Sequence, residues 1–312
     1  MSDWTIHPDA WLDRPRPSPR WHIDGLLPQG AWVLIVAEPK QGKSRLVQQL
    51  GHAIANGQPF LDLPSTSARV LYLDVDEPEG DILDRIADFR EAGIDMHGPL
   101  EYVAPERLMR PLNVLTPSGE AWVKALMDEA RPDIVILDSL RECQTSDEND
   151  SGEAVKVSHA FQRCFGARTL LLIHHARKLP IDHQGVPNPR AFGRGSSYWA
   201  GRVSSIWMLY HNVWYIEPRS GERERHAMVM KAGVWTFPGL DERRVMRDKV
   251  LALCAEHPAA VHREISALAE SQLKISRATF YRYLKAARAS GAACCHEARS
   301  APAPFEGHAS PR

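Results

Sequence analysis

Apolar and β-branched residues arrive along this chain in short, uncharged runs: AWVLIVA at 31–37, VLYLDV within 69–76, IVIL within 133–138 and LLLI within 169–173. A run with no polar alternation reads as a strand buried on both faces, which is how parallel sheets are built. Between the runs the period changes to that of a helix. Leu46, Val47, Leu50 and Ile54 share one face, and so do Ile82, Ile86 and Phe89, with Gly93 as a stop. Helices are also expected over 118–130, closed by Pro132, and near 153–165, with a short strand at 100–103. From Val203 the texture becomes that of antiparallel hairpins: VSSIWMLY, NVWYIEP, HAMVMKA and VWTF, separated by turn residues. The expected fold class is therefore α/β, a mostly parallel sheet whose antiparallel edge extends it.

Pro238-Gly239 marks an expected boundary, followed by a compact helical module over 243–292. It would hold one helix near 245–256, a short one from Val261 or His262, and a third capped by Ser276. In that third helix Phe280, Leu284 and Ala287 form the apolar face, while Arg277, Thr279, Arg282 and Lys285 occupy the rest. A helix-turn-helix or winged helix would present such residues to bases and phosphates; a protein-docking module with a solvated basic face is the other reading. Residues 1–20, with the run PRPSPR, read as an arm, and 293–312 as a disordered tail. The domain expectation is thus an arm at 1–20, a nucleotide-binding domain at 21–238, the helical module and the tail.

Composition narrows the field. With 44% hydrophobic and 25% charged residues in 312, the chain is an ordinary globular protein. A net charge of −1 leaves no global basic field, so nucleic acid would have to be held by local patches. No apolar run reaches membrane-spanning length, and MSDWTIHPDAW lacks the order of a signal peptide, so a cytoplasmic protein without a membrane partner is expected. Five scattered cysteines fit reduced thiols better than a disulfide framework.

The first strand empties into Glu38-Pro39-Lys40-Gln41-Gly42-Lys43-Ser44-Arg45, directly before the first helix. In a P-loop, G-x-x-x-x-G-K-[ST], backbone N–H groups curl around phosphates, the Lys reaches the β- and γ-phosphates and the hydroxyl ligates Mg²⁺. Gly42, Lys43 and Ser44 match, and Ala37 stands at the first glycine, which an ordinary φ/ψ would tolerate. These residues are the candidate ATP and Mg²⁺ binders. Asp138, at the tip of the third strong strand, is the candidate Walker B acid, a second Mg²⁺ ligand beside Ser44.

From about Trp21 to Val234 the chain resembles the RepA-type branch of RecA-like P-loop ATPases, related to hexameric replicative helicases of plasmids and phages. The residues that carry this are WHIDGLLP, AEPKQGKS, the tip DEP after LYLDV, IVILDSL, IHHARK and RGSSYWAG. The resemblance implies a RecA-like fold with ATP and Mg²⁺ as cofactors. It also implies a homo-oligomeric ring and single-stranded DNA in a channel. The carboxylate that polarises water would come from Asp76 or Glu77, whose order is reversed relative to the family. His174 or His175 would sense the γ-phosphate, and adjacency on one strand lets only one of them face the site. Arg194 would be an arginine finger acting on a neighbouring subunit's nucleotide, with Arg202 and Lys231 as lesser candidates. Lys178 and Arg190 would track the DNA backbone, and Arg277, Thr279 and Arg282 would contact DNA from the C-terminal module.

Overall fold

The computed structural model describes residues 19–75, 77–107, 112–143, 151–175, 188–191, 198–220, 222–258, 260–277, 279–281 and 283–284. The uncharged runs form β3 (Trp32–Ala37), β4 (Val70–Asp74), β6 (Ile134–Asp138) and β7 (Thr169–His175). With β5 (Leu100–Val103), β8 (Ser205–Tyr210), β9 (Val213–Pro218) and β10 (Glu224–Ala227) they build one eight-stranded sheet in the order β10-β9-β8-β3-β7-β6-β4-β5. All but two of its pairings are parallel; β8–β9 and β9–β10 are antiparallel. This mixed, mostly parallel sheet with an antiparallel edge, accompanied by a small C-terminal helical module, has a RecA-like P-loop NTPase architecture.

The two faces of the sheet carry separate cores, as the period-2 alternation of strand side chains requires. On one face Val33, Ile35, Leu171 and Ile173 meet Leu46, Val47 and Leu50 of α1 (Lys43–Ala55). Helix α2 (Glu79–Glu91) lies beside α1, with Phe89 edge-on to His52. On the other face Leu34, Val36, Leu170 and Leu172 meet α3 (Pro117–Ala130), α4 (Ser151–Phe165) and the short α5 (Tyr198–Arg202) through Val123, Phe161 and Trp199. Helix α3 is capped ahead of Ser118, by the Thr116 hydroxyl accepting from Gly119 N at 3.1 Å.

One strand expectation is extended and one corrected. The run VSSIWMLY forms the expected antiparallel hairpin with NVWYIEP, Ser205 opposite Pro218, but is not an edge alone: β8 also pairs parallel with the P-loop strand, Val36 opposite Met208. It is an interior strand, with Ile206 and Met208 in one core and Trp207 and Leu209 in the other, so its alternation is apolar on both sides. The run HAMVMKA is not one strand of the sheet edge either. It breaks at Met228, whose N–H turns aside to Asn212 O at 2.7 Å. Its second half, β11 (Val229–Lys231), leaves the sheet to pair with β12 (Val234–Thr236), a hairpin packed on α1. A further small hairpin, β1 (Trp21–Ile23) with β2 (Leu27–Pro28), precedes the P-loop strand.

The chain divides at Pro238/Gly239 into two compact units. The second begins with α6 (Leu240–Glu256), entered through Gly239 at φ 69°, and continues with α7 (His262–Gln272). Its core is its own: Val250, Leu253, Ile265, Ala269, Phe280 and Leu284. Among the described residues no helix is long and apolar enough to cross a membrane.

Candidate functional site

Parallel strands end at the same edge of a sheet, and here register brings their last residues together. Ala37 sits opposite His175, and Asp74 opposite Asp138. Ala37 is the last residue of β3, fully buried and in extended backbone, so the position needs no glycine. The left-handed geometry falls instead on Lys40, at φ 64°, and on Gly42, at φ 81°. Gly42 is required twice over: besides its φ, a Cβ there would lie 2.9 Å from the Trp235 ring. Trp235 Nε1 donates to Gly42 O at 3.1 Å, and its backbone exchanges two 2.8 Å hydrogen bonds with the Gln49 side chain. Arg45 donates to Gly233 O and to Asp88, each at 2.7 Å, which makes it a tie between α1 and the β11–β12 turn. The loop is thus clamped from outside by a hairpin distant in sequence.

Lys43 and Ser44 open α1 and are both largely buried. The Ser44 hydroxyl hydrogen-bonds the Asp138 carboxylate, and the Lys43 ammonium acts on it electrostatically. Asp138 also accepts from Tyr72 Oη at 2.8 Å. Burial pushes the Asp138 carboxyl above the usual carboxylate range, while Ser44, Tyr72 and Lys43 pull it back. Tyr72, buried between two acids, is raised well above an ordinary tyrosine by desolvation first and by the Asp138 and Asp74 charges next.

Strand β4 ends two residues earlier than its sequence run suggests, at Asp74. There Asp74 Oδ1 accepts the backbone N–H of Glu77 at 2.9 Å, which ties Glu77 to the last acid of the strand. Carboxylate oxygens of Asp74, Glu77 and Asp138 consequently lie within 4.8 Å of one another. Arg85 of α2 pairs with Glu77 and stands 4.0 Å from Asp74 Oδ2. With the Ser44 hydroxyl, the donor set is all oxygen and mostly anionic, the chemistry of a hard cation such as Mg²⁺. Asp74 was not singled out in the sequence, where it reads as one more strand residue. The available signal was a carboxylate four apolar positions into a buried run, where an unpaired charge is costly.

Of the other candidates, His175 shares the α1 face with Ala37, whereas His174, 3% exposed, follows Leu170 and Leu172 onto the opposite face. Arg190 donates to Glu217 Oε1 at 2.7 Å. Arg202 stacks 4.0 Å over the Trp32 ring and bonds Ser158 and Gln162, and Lys231 lies on β11. In the C-terminal unit Ser276 Oγ accepts from Thr279 N at 3.2 Å, and Arg277 lies over the Tyr281 ring. Asp76, Lys178, Arg194 and Arg282 lie outside the described residues, as do the arm over 1–18 and the tail.

The sequence profile of the AAA-domain family matches residues 4–180, more than half of the chain. No curated protein matches it. Among solved structures, a KaiC-like protein, PH0186, from the hyperthermophilic archaeon Pyrococcus horikoshii OT3 is similar over 70% of this chain and 93% of its own, at 11% identity and a TM-score of 0.47. A second solved structure, described as an ATPase domain, is similar over 67% of this chain and 85% of its own, at 13% identity and a TM-score of 0.47.

Proposed function

This chain belongs to the AAA-domain family of P-loop ATPases, and on that premise we propose that it is a RepA-like motor that hydrolyses Mg²⁺-ATP while acting on single-stranded DNA. The observation that carries the hydrolytic part is the convergence of Ser44, Asp138, Asp74 and Glu77 beside Lys43. Lys43 and the Lys40–Gly42 backbone bind the triphosphate, and Ser44 with Asp138 holds the metal. Mg²⁺, when bound, supplies neutralisation of charge on the β- and γ-oxygens.

Glu77 accepts a proton from the attacking water. As the water oxygen–phosphorus bond forms, the bond from phosphorus to the bridging oxygen breaks, and its electron pair leaves with ADP. Arg85 pairs with the Glu77 carboxylate and orients it between turnovers. Asp76 is the other candidate base, and His175, on the α1 face, is the better placed γ-phosphate sensor of the two histidines. Arg194 completes the site of a neighbouring subunit, which makes a homo-oligomeric ring the working form. Lys178 and Arg190 line its channel, and Arg277, Thr279 and Arg282 of the 243–292 module contact DNA.

A second reading is favoured by the separate core of the C-terminal unit: a DNA-anchored regulatory ATPase whose nucleotide sets its oligomeric state. Phosphate release from Mg²⁺-ATP with and without single-stranded DNA separates the two. The motor reading expects stimulation that is lost in Lys43→Ala and survives Arg277→Ala with Arg282→Ala. Unstimulated turnover, together with duplex binding abolished by the paired arginine change, supports the regulator.

A further inference from the structure

The sheet order assigns a direction to the nucleotide. The acids Asp138 and Asp74 end β6 and β4, on one side of the P-loop strand β3. On the other side, at the same sheet edge, β8 turns into β9 through His211 and Asn212, both exposed and both left-handed, at φ 46° and 60°. That is the two-residue turn that matches strand twist, and it fixes both side chains at the sheet edge. Between this turn and Lys40-Gln41-Gly42 lies an open cleft of about 470 Å³, lined also by Trp235 and Met230. Met230 is 42% exposed on a short hairpin strand, an apolar side chain presented to the opening. Trp235 is held in place by its bonds to Gly42 and Gln49.

We infer that this cleft holds the base and ribose of the nucleotide, with Met230 packing on a purine face and the Asn212 carboxamide reading its edge. The inference rests on the ATP reading above and deepens it. A triphosphate held by Lys43, with its terminal phosphate turned to the acids, leaves its other end on the β8–β9 side. The residues of the phosphate nest are themselves one wall of the cleft, so the two subsites adjoin. The volume lies within the range of small-ligand pockets, about 300–1,000 Å³. A carboxamide offers one acceptor and two donors, which complements the amino group and adjacent ring nitrogen of adenine.

The test is calorimetric titration of the full chain with Mg²⁺-ATP and, separately, Mg²⁺-tripolyphosphate, which has the phosphates and no base. Asn212→Gly keeps the left-handed turn and removes the amide; Met230→Ser removes the apolar contact. Each variant is expected to weaken ATP about tenfold while tripolyphosphate changes less than about twofold. Unchanged ATP affinity in both variants, or equal losses for the two ligands, would overturn the inference. So would a wild-type chain that binds ATP no better than tripolyphosphate, although the ATPase reading would then stand. Binding of neither ligand by the wild type would remove both.

Discussion

The Tyr72 hydroxyl donates to Asp138 Oδ2 at 2.8 Å from the neighbouring strand, with both residues buried. The pair explains how an acid can be kept under the phosphate loop, since a buried carboxylate survives only where donors replace the water it lost. Tyr72→Phe removes one donor and leaves the ring packing against Tyr102. Unfolding free energy at pH 7 is expected to fall by about 1–3 kcal/mol, measured by urea denaturation. The Asp138 carboxyl moves further up, so half-maximal turnover should require more Mg²⁺.

Glu77 and Asp76 are separated by a pair of isosteric changes. Glu77→Gln is expected to slow hydrolysis by about 10²–10⁴-fold with Mg²⁺-ATP still bound, and Asp76→Asn to slow it far less. Arg85→Met should lower turnover without abolishing it, because it removes the partner that orients Glu77 and leaves the carboxylate in place.

Gly42→Ala tests the clamp. The substitution meets a left-handed backbone and the Trp235 ring together. It is expected to cost at least about 1–2 kcal/mol by thermal denaturation. Weakened ATP binding should accompany that loss, because the loop can accept a methyl group only by moving away from the hairpin.

The pH dependence of stability has an assignable contributor in His52 of α1, wedged against Phe89 and bonded to Tyr102 Oη at 3.1 Å. Burial lowers its pKa from 6.5 to about 4. Below 6.5 the unfolded chain takes up a proton that the folded chain refuses, so stability rises with pH across this interval. The contribution is complete above pH 6.5 and lost as pH falls towards 4, about 3 kcal/mol at most. Denaturation of His52→Gln between pH 4 and 7 should show a flatter slope than the wild type.

The parallel strands and the P-loop were legible because long uncharged runs have few structural alternatives and because Gly-Lys-Ser follows one of them directly. Three features were not. Asp74 is nearly hidden by the local pattern: a carboxylate after four apolar residues is its one local signal, and its register with Asp138, far along the chain, is what puts it beside the other acids. The parallel pairing of β8 with β3 depends on the crossover that returns the chain to the middle of the sheet, and alternation within VSSIWMLY looks the same in either direction. The split of HAMVMKA is decided by Met228 entering the α1-side core and by Trp235 docking on Gly42, neither of which is a local property.

Steady-state phosphate release from Mg²⁺-ATP by the full-length protein, set beside Lys43→Ala and Asp138→Ala variants whose folding is verified by circular dichroism, tests the central claim most directly. Turnover in the wild type and its loss in both variants is the predicted result. A wild type that releases no phosphate even with single-stranded DNA present, or a Lys43→Ala protein that turns over undiminished, would contradict it.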